Sequence, residues 1–190
     1  MNIKTLFKIL WLDHIDEESK HFIEQHHYSK SARSQKAKHV FKLIDHYDNL
    51  VGVAVYGDPT SIHYNGANTI ELRRLCLIDD TPKNTESYFI GRTLRWMKKN
   101  TEYSKVLSFA DPNHGHQGII YRASNFKYEG RETYDGYSVE YQGTSFTKRE
   151  VYQKTGGEYT NRALELQAAI KSGEAKQLKL ERKHRYVYEL

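Results

Sequence analysis

Four side chains able to move a proton, hold a metal ion or grip a substrate stand within eleven residues: Asp111, His114, His116 and Tyr121. They follow the apolar stretch Lys105 to Ala110 and lie in the segment FADPNHGHQGIIYRASNFKYEG, Phe109 to Gly130. A strand that breaks into a polar Pro/Gly turn and then a helix brings side chains and free helix N–H groups together. α/β proteins place their chemistry at such points, so an enzyme is the leading expectation. Asp111 is a candidate proton acceptor, although an Asp before Pro112 also simply starts turns. Tyr121 is a candidate proton donor or a packing residue. His114 and His116, spaced i, i+2, make with Asp111 a His-plus-carboxylate set suited to non-haem iron; loop histidines are more commonly just polar.

A second group lies upstream. His27 and Tyr28 follow an expected helix that starts at Asp16, with Glu17 and Glu18 in the first turn, where the dipole favours acids. His27 can accept a proton, or be a helix C-terminal residue favoured by that dipole. Arg73 and Arg74 are neighbours in an expected strand and point to opposite faces, so one of them reaches a given site. A guanidinium there holds a carboxylate or a phosphate through two parallel hydrogen bonds.

Around these residues the chain alternates strands and helices. Ile3–Leu10 reads as a first strand, Asp16 to about His26 as a helix, and Tyr28–Lys38 as a polar loop. Val40–Ile44 and Leu50–Tyr56 form a hairpin. Thr69–Ile78 is a strand whose apolar parity switches between Ile70/Leu72 and Leu75/Leu77. A β-bulge at Arg73-Arg74 accounts for the switch, and bulges gather near active sites. A strand buried on both faces is the other explanation. Thr85–Lys99 is an amphipathic helix, Lys105–Ala110 a strand, Gln117–Asn125 a helix and Tyr137–Tyr141 a strand. Thr147 and Glu150 have capping-box spacing, Asn161–Ser172 is a helix stopped by Gly173, and Arg185–Leu190 is a last strand. The fold class is α/β (α+β): a mixed, mostly antiparallel central sheet flanked by helices, in one domain over residues 1–190. A helical insertion over 143–184 precedes the last strand.

The 190 residues suffice for one core. No run of about 18 apolar residues offers a membrane span, and the N-terminal segment lacks a cleavage signature, so it reads as a strand and not a signal peptide. The single Cys76 rules out an internal disulfide and suits a reducing cytoplasm; in a strand it reads as buried and inert. The net charge is +5, with fifteen tyrosines. Lys20–Lys42 holds six Lys/Arg against one acid, and the last twenty residues hold six against three. Clustered cations and rings suit nucleic acid, where cations meet phosphates and rings stack on bases; solvated surface lysines are the plain alternative.

The element order, the break in the fourth strand and IIYRASNFKYEG resemble the GNAT acetyltransferase superfamily. More closely, HHYS (26–29), VGVAVYGDP (51–59), ELRRLCL (71–77) and SFADPNHGHQGIIYRASNFKYEG (108–130) resemble the bacteriophage Mom family of DNA-modification proteins. That resemblance implies addition of a carbamoylmethyl (glycinamide-like) group to N6 of adenine in double-stranded phage DNA, in the cytoplasm of the host bacterium, which protects the DNA from restriction. It implies catalytic roles for His27, Tyr28, Arg74, Asp111 and Tyr121. Arg73, Ser29, His116 and Ser108, in the same stretches, are the substrate-binding candidates. The resemblance also brings iron as a possible cofactor, for which Asp111, His114 and His116, by the spacing noted above, are the candidate ligand set. The donor, free or carrier-bound, is unassigned. Before the Thr85 helix, DDTPKNTESYFIGRT has no glycine until Gly91 and carries Asp79 and Asp80. A loop of this kind does not cradle a pyrophosphate, which counts against acetyl-CoA. A GNAT-fold acyltransferase acting on a small-molecule or protein amine, and a non-catalytic basic DNA-binding protein, are the competing readings.

Overall fold

The computed structural model describes residues 3–32, 37–61, 64, 68–132 and 136–190. The polar loop expected over Tyr28–Lys38 and the basic stretch Lys20–Lys42 fall partly on residues 33–36, outside the described ones. A 3₁₀ turn at Ile3–Thr5 precedes β1 (Phe7–Leu12), so the first strand starts later than its apolar residues suggest. Asp16 caps α1 (Glu17–His26), accepting a hydrogen bond from the Ser19 N–H at 3.0 Å. β2 (Ala37–Asp45) and β3 (Leu50–Gly57) make the expected hairpin. β4 (Thr69–Leu77), α2 (Thr85–Asn100), β5 (Lys105–Ala110) and α3 (Ile119–Ala123) follow the expected order. Then come β6 (Lys127–Arg131), β7 (Tyr137–Tyr141), β8 (Thr144–Thr147) and α4 (Lys148–Val151). β9 (Lys154–Thr155), β10 (Glu158–Tyr159), α5 (Asn161–Ser172), β11 (Lys176–Lys179) and β12 (His184–Glu189) complete the chain.

These elements sort into two compact units. The first comprises Met1–Ala110, His116–Gly130 and His184–Leu190. Its sheet has the order β1-β2-β3-β4-β5-β12-β6. β4 and β5 run parallel, whereas β1–β2, β2–β3, β3–β4 and β5–β12 are antiparallel. Ile70, Leu72, Phe89, Leu94, Met97 and Tyr121 belong to the core on the side of α2 and α3. Phe22, Ile23, Val53, Val55 and Cys76 form the core on the side of α1.

The second unit, Asp111–Gly115 with Arg131–Lys183, holds the three-stranded sheet β11-β7-β8, the β9–β10 hairpin and helices α4 and α5. Val139, Val151, Leu166 and Ala169 are buried in its core. This segment was expected to be a helical insertion from residue 143; it starts at 131 and is as much strand as helix. Tyr137–Tyr141, expected as the strand after α3, pairs here, and β6 takes its place in the main sheet. The predicted capping box is present, with Thr147 and Glu150 each bonding the other's backbone. Among the described residues no helix is long and apolar enough to cross a membrane.

Lys42, 7% exposed on β2, holds α1 to the sheet. Its Nζ donates to Asp16 and, at 2.6 Å, to Glu18. Burial pushes the Asp16 carboxyl up, but hydrogen bonds from Lys42 and Ser19 outweigh it and hold the group below its usual 3.8. A depressed carboxyl stabilises the fold above its unfolded value, and that contribution is lost as pH falls through the folded value. Urea unfolding between about pH 5 and pH 2 is therefore expected to show a loss of stability that is shallower in Asp16→Asn. Equal slopes in the two proteins would rule out this ion pair as a cause.

Candidate active site

The parity switch in β4 is a bulge. Val55 pairs with Arg74 and the next residue, Tyr56, with Leu72, leaving Arg73 as the extra residue. Ile70 and Leu72 before it, and Leu75 and Leu77 after it, consequently meet the same core. Glu71 and Arg74 fall on the opposite face, with Cys76. The β4–β5 pairing runs only from Thr69↔Lys105 to Glu71↔Leu107. Beyond that rung the two parallel strands part, and the gap is where the candidate residues of the first unit collect.

Tyr121 on α3 is buried against Phe126 and Tyr186 and shares a hydrogen bond with Ser108. Ser108, on β5, in turn donates to the Leu72 carbonyl at 3.3 Å, bridging the parting strands. Burial pushes the Tyr121 phenol up to about 12, the Ser108 bond opposes this, and Tyr28, Glu71 and Tyr186 add to it. The phenol therefore stays protonated at neutral pH, and because the Ser108 hydrogen goes to Leu72, the Tyr121 hydroxyl donates to Ser108.

The loop after α1 contributes the next group. Ser29 N–H donates to His27 Nδ1 at 3.1 Å, and Ser29 Oγ lies 2.8 Å from the same nitrogen. With Nδ1 accepting, the neutral ring carries its proton on Nε2. Neutral His27 thus offers a donor there, which weakens it as a proton acceptor. Tyr28 is 44% exposed, with its ring 4.3 Å from His27 and 5.0 Å from His116. Arg74 anchors the same loop. Its Nε donates to the Ser31 carbonyl at 3.4 Å and one terminal nitrogen to the Arg73 carbonyl at 2.7 Å. Among the described residues no acid pairs with Arg74.

Glu71 was missed from the sequence. It is 7% exposed, and one carboxylate oxygen accepts from Thr60 N–H at 2.6 Å and Thr60 Oγ1 at 2.8 Å. Among the described residues no cation pairs with it. Burying a carboxylate without a counter-ion is costly. It occupies the last rung before the strands part, and its charge acts on Tyr121.

Asp111 belongs to the second unit. Its Oδ1 accepts from Asn113 N–H at 3.0 Å and Asn113 Nδ2 at 2.8 Å, and Lys183 lies 3.5 Å from Oδ2. Asn113 also exchanges two hydrogen bonds with the Glu181 backbone. Asp111 thus starts and pins a turn. Among the described residues no group of three His, Cys, Asp or Glu side chains comes together. Asp111 and His114 lie in the second unit and His116 in the first.

Next to the gap lies a cleft of about 550 Å³ lined by Leu75, Leu77, Asp79, Lys83, Glu86, His116 and Ile120, among others. Its polar end carries two acids, Asp79 and Glu86, which disfavour a coenzyme A pyrophosphate. Pro82 has no N–H, and the Thr85 N–H is spent on the Pro82 carbonyl.

The Mom protein family matches residues 10–190. The Methylcarbamoylase mom of Escherichia phage Mu is 32% identical over 131 residues, 62% of this chain. The alignment spans 52%, about half, of that relative's length. A Bacillus subtilis acetyltransferase in complex with CoA superimposes with a TM-score of 0.56 at 10% identity, over 97% of this chain and 99% of that one. SpeG spermidine N-acetyltransferase from Vibrio cholerae gives 0.54 at 12%, over 97% and 94%. At such identities the likeness is one of fold, and the fold is that of the GNAT acetyltransferases.

Proposed function

The chain belongs to the Mom protein family, and from that membership we propose that it is a transferase that modifies DNA. On this reading it joins a carbamoylmethyl group to the exocyclic N6 of adenine and so protects phage DNA from restriction. The observation that carries the reading is the gathering of Tyr121, Ser108, Tyr28 and Glu71 where β4 and β5 part, in a chain matched along nearly its whole length. The phage Mu relative is named a methylcarbamoylase, which supports transfer of a small amide-bearing group.

The adenine amine is a weak nucleophile, since its lone pair is delocalised into the ring. A base in duplex DNA must also be flipped out before chemistry. The half-exposed Tyr28 ring, beside His116, offers a face for it. N6 attacks the methylene carbon of a donor carrying a carbamoylmethyl group on a leaving group. The new N–C bond forms as the carbon–leaving-group bond breaks and the leaving group departs with the electron pair. The N6 proton passes to a carboxylate, for which Glu71 is the best-placed group. Tyr121, protonated at neutral pH, turns its hydroxyl hydrogen from Ser108 to the donor's carbonyl or leaving group, and Arg74 holds an anionic part of donor or DNA.

Mass spectrometry of nucleosides from plasmid DNA, with and without expression of the protein, tests this. A deoxyadenosine heavier by one carbamoylmethyl group is expected. Unmodified adenine at good soluble expression would sink the proposal, and acyl transfer to a small-molecule or protein amine, with a coenzyme A binding assay, would be examined next. Tyr121→Phe should retain the fold and lower the rate of modification by about 10²-fold or more, the usual cost of losing a general acid. A rate equal to wild type would remove Tyr121 from the chemistry.

A further inference from the structure

The second unit carries a feature that its own core does not explain. β9 and β10 form a two-stranded hairpin with Thr155↔Glu158 and Lys154↔Tyr159 as its only rungs. Gly156 and Gly157 make the turn with φ of +62° and +89°, the two positive values that a tight two-residue hairpin loop demands. Every residue from Tyr152 to Tyr159 is exposed. Isolated two-stranded hairpins are marginal in water, and this one exposes two large rings, Tyr152 at 51% and Tyr159 at 37%. Lys154 Nζ sits 4.5 Å from the centroid of the Tyr159 ring. Arg149, just upstream on α4, is exposed, and among the described residues neither it nor Lys154 has an acid partner. Glu150 accepts from Thr147 and, with Glu158, is set against Lys148, Arg149 and Lys154 in this stretch.

The base of the ribbon is held firmly. Val151 is buried in the core of the unit, Gln167 Nε2 donates to its carbonyl at 2.7 Å, and Thr160 N–H donates to the Gln153 carbonyl at 3.0 Å. A fixed base and an exposed tip that alternates cations and rings fit a polyanion with stackable or sugar surfaces better than they fit an apolar partner.

We propose that the β9–β10 hairpin is a DNA-contacting ribbon, with Lys154 and Arg149 on phosphates and the Tyr152 and Tyr159 rings against sugar or base. This rests on the DNA-modification reading above and assigns that reading a binding surface. A fluorescently labelled duplex, titrated with the full-length chain at several salt concentrations, tests it by anisotropy. The variant Arg149→Gln/Tyr152→Ala/Lys154→Gln/Tyr159→Ala is expected to bind at least about tenfold more weakly. Its log K against log salt slope should be shallower by about two, one unit per lost phosphate contact. Because these side chains are exposed, its circular dichroism and melting should match wild type. Lys154→Gln alone, the mildest change, should reduce the slope by about one. If wild type binds DNA and both variants share its affinity and slope, the hairpin is not the contact, while the DNA reading stands. If wild type binds no duplex even at low salt, the DNA reading falls and the hairpin's role falls with it.

Discussion

Glu71→Gln is expected to lower the rate of adenine modification by about 10²–10⁴-fold, the range lost when a positioned proton acceptor is removed. The substitution is close to isosteric and keeps an oxygen to accept from Thr60 N–H and Oγ1, so the end of β4 should stay in place. What it removes is the charge. The carboxylate is 93% buried and unpaired with any described cation, so its burial carries a desolvation cost. Two observations separate chemistry from structure here. Stability should hold or rise, since an uncompensated buried charge is replaced by a neutral amide. The turnover at saturating DNA should fall while DNA affinity is retained. If the variant modifies DNA as fast as wild type, Glu71 is structural. The acceptor must then be sought at Asp111, whose oxygens are already spent on Asn113 and Lys183, or at His27, whose Nδ1 already accepts from Ser29.

The same residue shows where reading a sequence stops. Local signals carried well: Asp16 before two glutamates starts α1, Gly173 stops α5, and Thr147 with Glu150 closes a capping box. The parity switch in β4 even located the bulge at Arg73. Knowing the bulge did not reveal Glu71, because a charged residue in a strand ordinarily faces water. Its burial depends on Thr60 folding back over it and on the β4–β5 pairing ending at that rung. β6 was invisible for the opposite reason. Lys127-Tyr128-Glu129-Gly130-Arg131 is a largely exposed edge strand with no apolar face to read, and it exists because β12 is there to pair with. Tyr137–Tyr141 shows a strand pattern and is a strand, yet nothing local says which sheet it joins. Tyr121 was read as either a functional or a packing residue. Its ring packs in the core while its phenol bonds Ser108, and a sequence pattern shows only the first.

Gly118→Ala should be among the most damaging single changes in the chain, although a glycine in a polar turn attracts little notice. Gly118 has φ of +70° and caps α3, its carbonyl accepting from the Tyr121 and Arg122 N–H groups at 3.1 and 3.2 Å. A Cβ there would fall 2.2 Å from the Tyr186 ring. That ring is fully buried, its hydroxyl donates to the Gln117 carbonyl at 2.7 Å, and Tyr121 and Tyr128 each pack 5.3 Å from it. It has no room to yield. Left-handed strain of roughly 1 kcal/mol adds to an overpacking cost of roughly 1–3 kcal/mol. For a chain of this size that predicts a fall in melting temperature on the order of 10 °C. The clash can be isolated by a double-mutant cycle with Tyr186→Leu, which removes the ring. Gly118→Ala should cost much less in that background, with only the backbone strain left. If its cost is the same with and without the ring, close packing of Gly118 on Tyr186 is not what fixes the start of α3. Tyr121 is then held in the gap between β4 and β5 by its own contacts with Phe126 and Ser108.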